Sequence, residues 1–213
     1  MAAGAALEAR DGDSNTALIH AAWFNKEPSV IKVLLKAGAD IEARSEDGLT
    51  ALMYAAYRNE NVDITKLLLK AGSDIHLRYR DGSKILMRAA AEDKNMDVVK
   101  ALLNAGAAIN ERDGYGWTAM MLAVSWKRNS DVFKVLLAAG ADVHVRYQDG
   151  STMLMRAARS NKDPDVIKVL LEAGADAKAK DNNGKTALDY IKANPALKDN
   201  KSIQKMLRGA MRD

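Results

Sequence analysis

The stretch GLTALMYAAYRNENVDITKLLLKAG, from Gly48 to Gly72, decides the fold. Thr50 suits a helix N-cap, and the apolar run behind it predicts a first helix from Ala51 to Tyr57. After a short polar break, apolar residues at helical spacing predict a second helix from Val62 to Ala71. Gly72 ends that helix, because glycine adopts the left-handed conformation at low cost. The stretch therefore predicts a pair of short helices.

The same pattern recurs with a period of 34 residues. The glycines that end the second helices are Gly4, Gly38, Gly72, Gly106, Gly140 and Gly174. The N-cap positions of the second helices hold Glu27, Asn61, Asn95, Asn129 and Asp163. Between the pairs, extended stretches end in Asp-Gly or Asn-Gly turns, which predict hairpin-like loops and no true sheet. Each unit is thus a helix pair with a projecting loop.

These boundaries predict one repeat domain over residues 1–213. Its full repeats are 11–44, 45–78, 79–112, 113–146 and 147–180. Residues 1–10 match the tail of a truncated repeat, and the polar segment 181–213 is typical of a C-terminal capping repeat. The segment His76–Tyr79 matches His144–Tyr147, which indicates that a block of two repeats was duplicated.

Two segments carry a family resemblance: Gly48–Ala56 reads Gly-x-Thr-Ala-Leu-x-x-Ala-Ala, and Val30–Ile41 reads Val-Ile-Lys-x-Leu-Leu-x-Ala-Gly-Ala-Asp-Ile. They resemble the ankyrin repeat family, and the resemblance covers nearly the whole chain. The sequence departs from the family at Thr50-Ala51-Leu52-Met53, in place of Thr-Pro-Leu-His, and in its 34-residue period, as in the ankyrin variants common in bacterial proteins. The resemblance implies an all-α fold, a right-handed α-solenoid of stacked repeats whose concave face binds proteins.

Composition narrows the classes of function. The net charge of +4 is too small and too dispersed to indicate a nucleic-acid binder. The chain has no cysteine, which excludes disulfides and thiolate metal sites. It has no apolar run of about 18 residues, so we expect no membrane-spanning segment. Its N-terminus also lacks the pattern of a signal peptide.

No stretch of the sequence carries a catalytic motif. The histidines His20, His76 and His144 lie in separate repeats, too far apart to share a metal ion. The glycine-rich turn 113–116 lacks the lysine of a phosphate-binding loop. The sequence therefore predicts a protein that is not an enzyme, with no catalytic residues, no bound metal and no cofactor.

Two rows of residues follow the repeat period. The methionine row is expected to pack the first helices against their neighbours and consists of Met53, Met87, Met121 and Met155. The arginine row consists of Arg10, Arg44, Arg78, Arg112 and Arg146 and ends at Lys180. One interpretation of the arginine row is a basic rail for an acidic partner. The favoured alternative is local pairing with turn carboxylates such as Asp47 and Asp81.

The resemblance places a variable binding surface at the hairpin tips and at the exposed edge of each first helix. All three tryptophans fall at such positions, and Trp, Tyr and Arg are enriched in binding hot spots. The alternative is that some of these aromatic residues cover seams between repeats. The predicted partner-binding residues are Trp23, Phe24, Tyr54, Tyr57, Arg58, Arg80, Arg88, Tyr115, Trp117, Trp126, Arg156 and Arg159.

The sequence thus predicts a protein–protein interaction module, a monomer or weak dimer whose partner presents acidic and apolar surface. Neither nucleic acid nor membrane is an expected partner. The default location is the cytoplasm, whereas an export signal ahead of Met1 would place the chain in the periplasm or outside the cell. The alternatives are a structural array that stacks through an open N-terminal edge, and an engineered binder on an ankyrin scaffold.

Overall fold

A computed structural model describes residues 6–92, 96–126 and 130–212. Within these ranges the chain is all-α, as predicted, with extended pairing limited to the isolated bridges Arg78–Lys84 and Arg146–Thr152. The helices of the described residues are α1 Ala17–Phe24, α2 Pro28–Lys36, α3 Ala51–Arg58, α4 Val62–Lys70, α5 Ile85–Ala91, α6 Met96–Asn104, α7 Ala119–Trp126, α8 Ser130–Ala138, α9 Met153–Ser160, α10 Pro164–Glu172, α11 Ala187–Ala193 and α12 Lys201–Ala210.

Threonine caps begin most of the first helices. The Thr50 hydroxyl accepts the backbone N–H of Met53 at 3.4 Å, which satisfies one of the unpaired donors of α3. The prediction of a cap at Thr50 is confirmed. Helix α5 begins differently, because Lys84 occupies the cap position and its own N–H contacts the Met87 sulfur at 3.3 Å.

The caps of the second helices are only partly as predicted. Asn61 and Asp163 accept backbone N–H groups in the first turns of α4 and α10. Glu27 occupies the N-cap position of α2 as predicted, but its side chain makes no capping hydrogen bond. Pro28 follows Glu27 and has no N–H, so this helix start has one donor fewer to satisfy. Positions 95 and 129 lie outside the described residues.

Each second helix in a full repeat ends on a glycine with positive φ, as the sequence predicted. At the end of α2, Gly38 has φ +94°, and its N–H donates to the carbonyl of Leu35. The N–H of Ala39 donates to the carbonyl of Leu34, which completes a Schellman motif. This sharp stop turns the chain out of the helix pair and into the next hairpin.

The described helices fall into two compact units. Unit 1 holds α1 to α6 and extends through Ala108 together with Arg112–Tyr115. Unit 2 holds α7 to α12 and comprises Ile109–Glu111 and the chain from Gly116 onward. In unit 1 the first helices α1, α3 and α5 pack in series, as do the second helices α2, α4 and α6. In unit 2 the series are α7, α9, α11 and α8, α10, α12.

The core of each unit lies between its helix layers. The methionine row is almost fully buried, with Met53 at 2% exposure and Met155 at 1%. This burial agrees with the packing role predicted for the row.

Candidate partner-binding surface

A recurring contact joins first helices to the hairpins that precede them. One helix position, repeated every 34 residues, lies against the hairpin residue nine positions earlier in the chain. In unit 1, His20 Nε2 lies 2.5 Å from Asp11 Oδ2. The backbone N–H of Asn15 and the His20 ring lower the pKa of Asp11 to about 2. In unit 2 the corresponding Tyr190 donates its hydroxyl hydrogen to the Asp181 carboxylate at 2.5 Å.

In repeat 79–112 this helix position holds Arg88, one of the predicted site residues. Its Nη2 lies 2.6 Å from Asp81 Oδ2, and its Nε donates to Ser83 Oγ at 3.1 Å. The guanidinium also lies over the ring of Tyr79, 5.0 Å from the ring centre. Burial acts to raise the pKa of Asp81, but hydrogen bonds from Ser83 and the charge of Arg88 outweigh it and lower the pKa.

Unit 2 contains the same arrangement around Arg156. Its Nη2 lies 2.8 Å from Asp149 Oδ2, its Nε donates to Ser151 Oγ at 2.9 Å, and its guanidinium lies 4.5 Å from the centre of the Tyr147 ring. The pKa of Asp149 is lowered in spite of burial, because of the Ser151 hydrogen bonds and the Arg156 charge. Arg156 is therefore held by its own hairpin, as Arg88 is.

Tyr79 and Tyr147 were not among the predicted site residues, yet they anchor this arrangement. The Tyr147 hydroxyl donates to the Met121 carbonyl at 3.0 Å, and that of Tyr79 contacts the Met53 carbonyl at 3.4 Å. Burial raises the pKa of Tyr147 to about 12 and that of Tyr79 still further. The signal that could have found them is the echo between 76–79 and 144–147, which repeats a tyrosine that the other repeats lack.

Unit 1 carries an aromatic cluster on α1 and α3. Trp23 stacks on Phe24 with ring centres 4.4 Å apart and on Tyr54 at 4.6 Å. Phe24 also stacks with His20 at 6.0 Å. Tyr54 is only 7% exposed, and its hydroxyl donates a hydrogen bond to Ser45 in the preceding hairpin. Tyr54 therefore forms the buried side of the cluster.

The exposed members of the predicted set lie at helix ends and hairpin tips. Large apolar side chains in the open are Phe24 at 63%, Tyr115 at 68% and Trp126 at 71% exposure. Arg58 lies over the Tyr57 ring at 4.3 Å and is exposed, as is Arg159 at the end of α9. These residues present rings and guanidinium groups to solvent.

Two further members of the set are tied to hairpins. Trp117 is half-buried and meets the Tyr147 ring edge-on, with ring centres 5.5 Å apart. Arg80 donates to the backbone carbonyl of Glu46 and lies 3.9 Å from Asp47. Arg80 thus joins two successive hairpin tips of unit 1.

The arginine row braces hairpins through backbone carbonyls. Arg146 Nη1 donates to the carbonyl of Gly150, in its own hairpin, and to that of Lys180, 34 residues further on. Arg10 and Arg78 make the same pair of contacts in unit 1. Asp47 and Asp81, the carboxylates predicted to pair with the row, lie against Arg80 and Arg88. The row has a local structural role, but with acceptors that the sequence did not predict.

Neither a metal-ligand cluster nor a membrane-length helix occurs in the part of the chain that the structure describes. No group of three or more His, Cys, Asp or Glu side chains there is close enough to hold a metal ion. None of the helices formed by those residues has the length and apolar character needed to cross a membrane.

Comparisons with known proteins agree with the helix-pair architecture. A family model described as ankyrin repeats in three copies matches residues 2–79 and 52–147, and a model described as ankyrin repeats in many copies matches 136–191. A search of curated proteins finds no match.

Among solved structures, the chain is similar to an ankyrin repeat domain from Acinetobacter baumannii AYE. The two share 28% sequence identity and superpose with a TM-score of 0.78, over 91% of this chain and 96% of that one. Since the family models also match most of its length, the chain belongs to the ankyrin repeat family.

Proposed function

We propose that this chain binds a protein partner through the side chains exposed at its first-helix ends and hairpin tips. Ankyrin repeats are generally protein–protein interaction modules, and the fold is typically a scaffold without catalytic activity. We name this set of side chains the first-helix surface, and it consists of the exposed Phe24, Arg58, Arg80, Tyr115, Trp126 and Arg159 together with the half-buried Tyr57.

The observation that carries the proposal is the exposure of large aromatic side chains on this surface. Phe24, Tyr115 and Trp126 are each more than 60% exposed, although their apolar area favours burial. Exposed aromatic residues beside arginines are typical of binding hot spots. The partner that fits them presents apolar pockets and carboxylates.

Five other residues of the predicted set support this surface through contacts within the chain. Tyr54 is buried, whereas Arg88, Arg156 and Trp117 are half-buried against hairpin residues. Their contacts hold the helix ends and hairpin tips in one arrangement before a partner arrives. A preformed surface loses little conformational entropy on binding. Trp23, stacked between Phe24 and Tyr54, contributes in the same way.

The experiment is a capture from cell extract followed by titration with the purified partner. Calorimetry would compare the wild type with Phe24→Ala and Trp126→Ala, and with Lys66→Ala and Lys134→Ala as controls on the second helices. We expect each aromatic variant to weaken binding by about 1 kcal/mol or more, and each lysine variant to change it by less than about 0.5 kcal/mol. The reverse pattern would contradict the proposal.

A second candidate function is self-association through α2. Val33 on this helix is 67% exposed, whereas Val169 at the same position of α10 is 8% exposed. Contact with a second copy of the chain would remove the apolar area of Val33 from water. Sedimentation equilibrium would detect a concentration-dependent dimer, and Val33→Lys would abolish it. A wild type that remains monomeric at all concentrations would remove this candidate.

A further inference from the structure

A shallow surface pocket, open to solvent and without enclosed space, lies along α9 in unit 2. Its lining consists of Asp149, Ser151, Met155, Arg156, Arg159 and Tyr190. Two arginines therefore face one carboxylate in its wall. Some of the polar groups in this wall already make hydrogen bonds within the described chain, and others do not. The groups without such bonds determine which ligand can bind here.

Most of these polar groups have partners within the chain. Both oxygens of the Asp149 carboxylate accept hydrogen bonds, Oδ1 from Ser151 at 2.6 Å and Oδ2 from Arg156 at 2.8 Å. The Tyr190 hydroxyl donates to Asp181 at 2.5 Å. The negative charge that borders the pocket is thus already engaged by hydrogen bonds.

Arg159 is the exception. It lies in the last turn of α9, is exposed, and makes no hydrogen bond or ion pair with the described residues. Its guanidinium keeps its full set of donors for a ligand. Lys185, whose Nζ lies 5.8 Å from the centre of the Tyr190 ring, adds a second cation beside the pocket.

The duplicated repeat gives an internal contrast. Arg88, Asp81 and Ser83 reproduce the arrangement of Arg156, Asp149 and Ser151 almost atom for atom. In that copy the position equivalent to Arg159 is Ala91. The internal brace is therefore complete without Arg159, so holding the hairpin does not explain this arginine.

We propose that Arg159, at the edge of this shallow pocket, binds a carboxylate of the partner. Arg156 and the Tyr190 ring lie beside the bound group. Planar guanidinium groups bind carboxylates through paired N–H bonds. The inference rests on the proposed function for the existence of a partner, but the preference for a carboxylate can be measured without that partner.

The test uses random twelve-residue peptides displayed against the full chain and depleted on its Arg159→Gln variant. Peptides that survive need Arg159 by selection, so what they have in common reports what the arginine recognises. Each is then synthesised with its acidic residues changed to amides, and with a free or an amidated C-terminus. Affinities are measured by fluorescence anisotropy against the wild type, Arg159→Gln and Arg208→Ala. The last variant removes the same charge from the exposed face of α12.

We expect the surviving peptides to share an acidic residue or to need a free C-terminus. Neutralising that one carboxylate should weaken binding to the wild type about tenfold, the size of one charged hydrogen bond, and should have no effect on binding to Arg159→Gln. Loss only with amidation would assign the carboxylate to the peptide C-terminus; loss only with the side-chain amide would assign it to Asp or Glu. Arg208→Ala should behave as the wild type.

Peptides that share aromatic residues without an acid, or a selection that yields no binder, would overturn the inference. So would a carboxylate effect that persists in Arg159→Gln. This outcome is separate from that of the capture experiment, which depends on Phe24 and Trp126. The peptides could show that Arg159 prefers a carboxylate while Phe24→Ala and Trp126→Ala still bind the natural partner. That pair of results would uphold the inference and reject the first-helix surface.

Discussion

At the residue scale, two arginines three positions apart on α9 have different environments and roles. Arg156 is bound to Asp149, Ser151 and the Tyr147 ring, whereas Arg159 has no such partners among the described residues. The sequence predicted both as partner-binding because both fall at variable positions of the repeat. A pattern of positions does not distinguish an arginine that its own hairpin occupies from one that solvent surrounds.

This difference predicts different effects of the two alanine variants on folding. Arg156→Ala should lower the free energy of unfolding by about 1–3 kcal/mol, because it removes charged hydrogen bonds at a half-buried site. Arg159→Ala should change it by less than about 0.5 kcal/mol, as surface substitutions usually do. Urea denaturation followed by circular dichroism measures both. Equal losses for the two variants would contradict the division of roles.

The lowered pKa of Asp149 predicts a pH dependence. A carboxyl group whose pKa is lower in the folded chain stabilises the fold above its unfolded pKa, near 4, and loses that contribution as pH falls through the folded pKa. Asp149→Asn should therefore be less stable than the wild type at neutral pH. The gap in melting temperature should narrow below about pH 4, where the wild type also loses the charge. A gap that stays constant from pH 7 to pH 2 would show that the charge is not its cause.

At the element scale, the hairpins contact one another closely and the glycines show where. Gly82 and Gly184 have nearly the same positive φ, +76° and +74°. A Cβ on Gly82 would lie 2.9 Å from the backbone nitrogen of Gly114 in the next hairpin, whereas a Cβ on Gly184 would meet nothing within 4 Å. Replacing either glycine by alanine therefore carries the same backbone strain, but only at Gly82 does the added Cβ also meet a neighbouring hairpin.

Alanine at these two glycines separates the costs. Gly184→Ala should cost about 1–2 kcal/mol, the penalty for a left-handed alanine. Gly82→Ala should cost more, because the hairpin 113–116 must also shift. Thermal unfolding of the two variants against the wild type gives both values. If Gly184→Ala proved the more damaging of the two, the close approach of the hairpins in unit 1 would be wrong.

Successive first helices are also joined by a buried asparagine. Asn59 donates to the carbonyls of Ala22 and Asn25 at 2.9 and 2.8 Å and accepts the N–H of Asn61. Asn59→Ala leaves these groups without their partner, which should cost about 2–4 kcal/mol. The exposed Asn104→Ala, at the end of α6, serves as the control and should change little. Chemical denaturation of both variants checks this, and a small loss at Asn59 would contradict the role given to it.

The helices and hairpins show which features of the structure the sequence predicts and which it does not. The 34-residue period determined the helix pairs, the glycine stops and most caps, because these depend on residues close in the chain. It did not reveal that Arg146 bonds a carbonyl 34 residues away, or that Tyr147 reaches the carbonyl of Met121. Those contacts depend on how repeats pack, and side chains of the same type at the same position have different neighbours in different repeats. The binding role of the candidate surface accordingly stays a prediction, whereas the fold is confirmed.

At the scale of the whole molecule, the chain presents a small positive charge and exposed aromatic side chains in both units. A partner that offers carboxylates should associate faster at low salt, because unlike charges steer the encounter over about 10 Å at 0.1 M ionic strength. Stopped-flow mixing of the captured partner with the chain at 50 and 500 mM salt should show a slower association rate at the higher concentration. An association rate that does not change with salt would assign recognition to apolar contacts alone.

The most direct test of the account is site-specific photo-crosslinking in living cells. A benzophenone side chain is placed at Tyr115 or Trp126 on the first-helix surface, and at Lys66 or Lys134 on the second helices. The account predicts a discrete crosslinked protein from positions 115 or 126 and none from 66 or 134. Crosslinks to one protein from positions 66 and 134, with none from the aromatic positions, would contradict it and place recognition on the second helices.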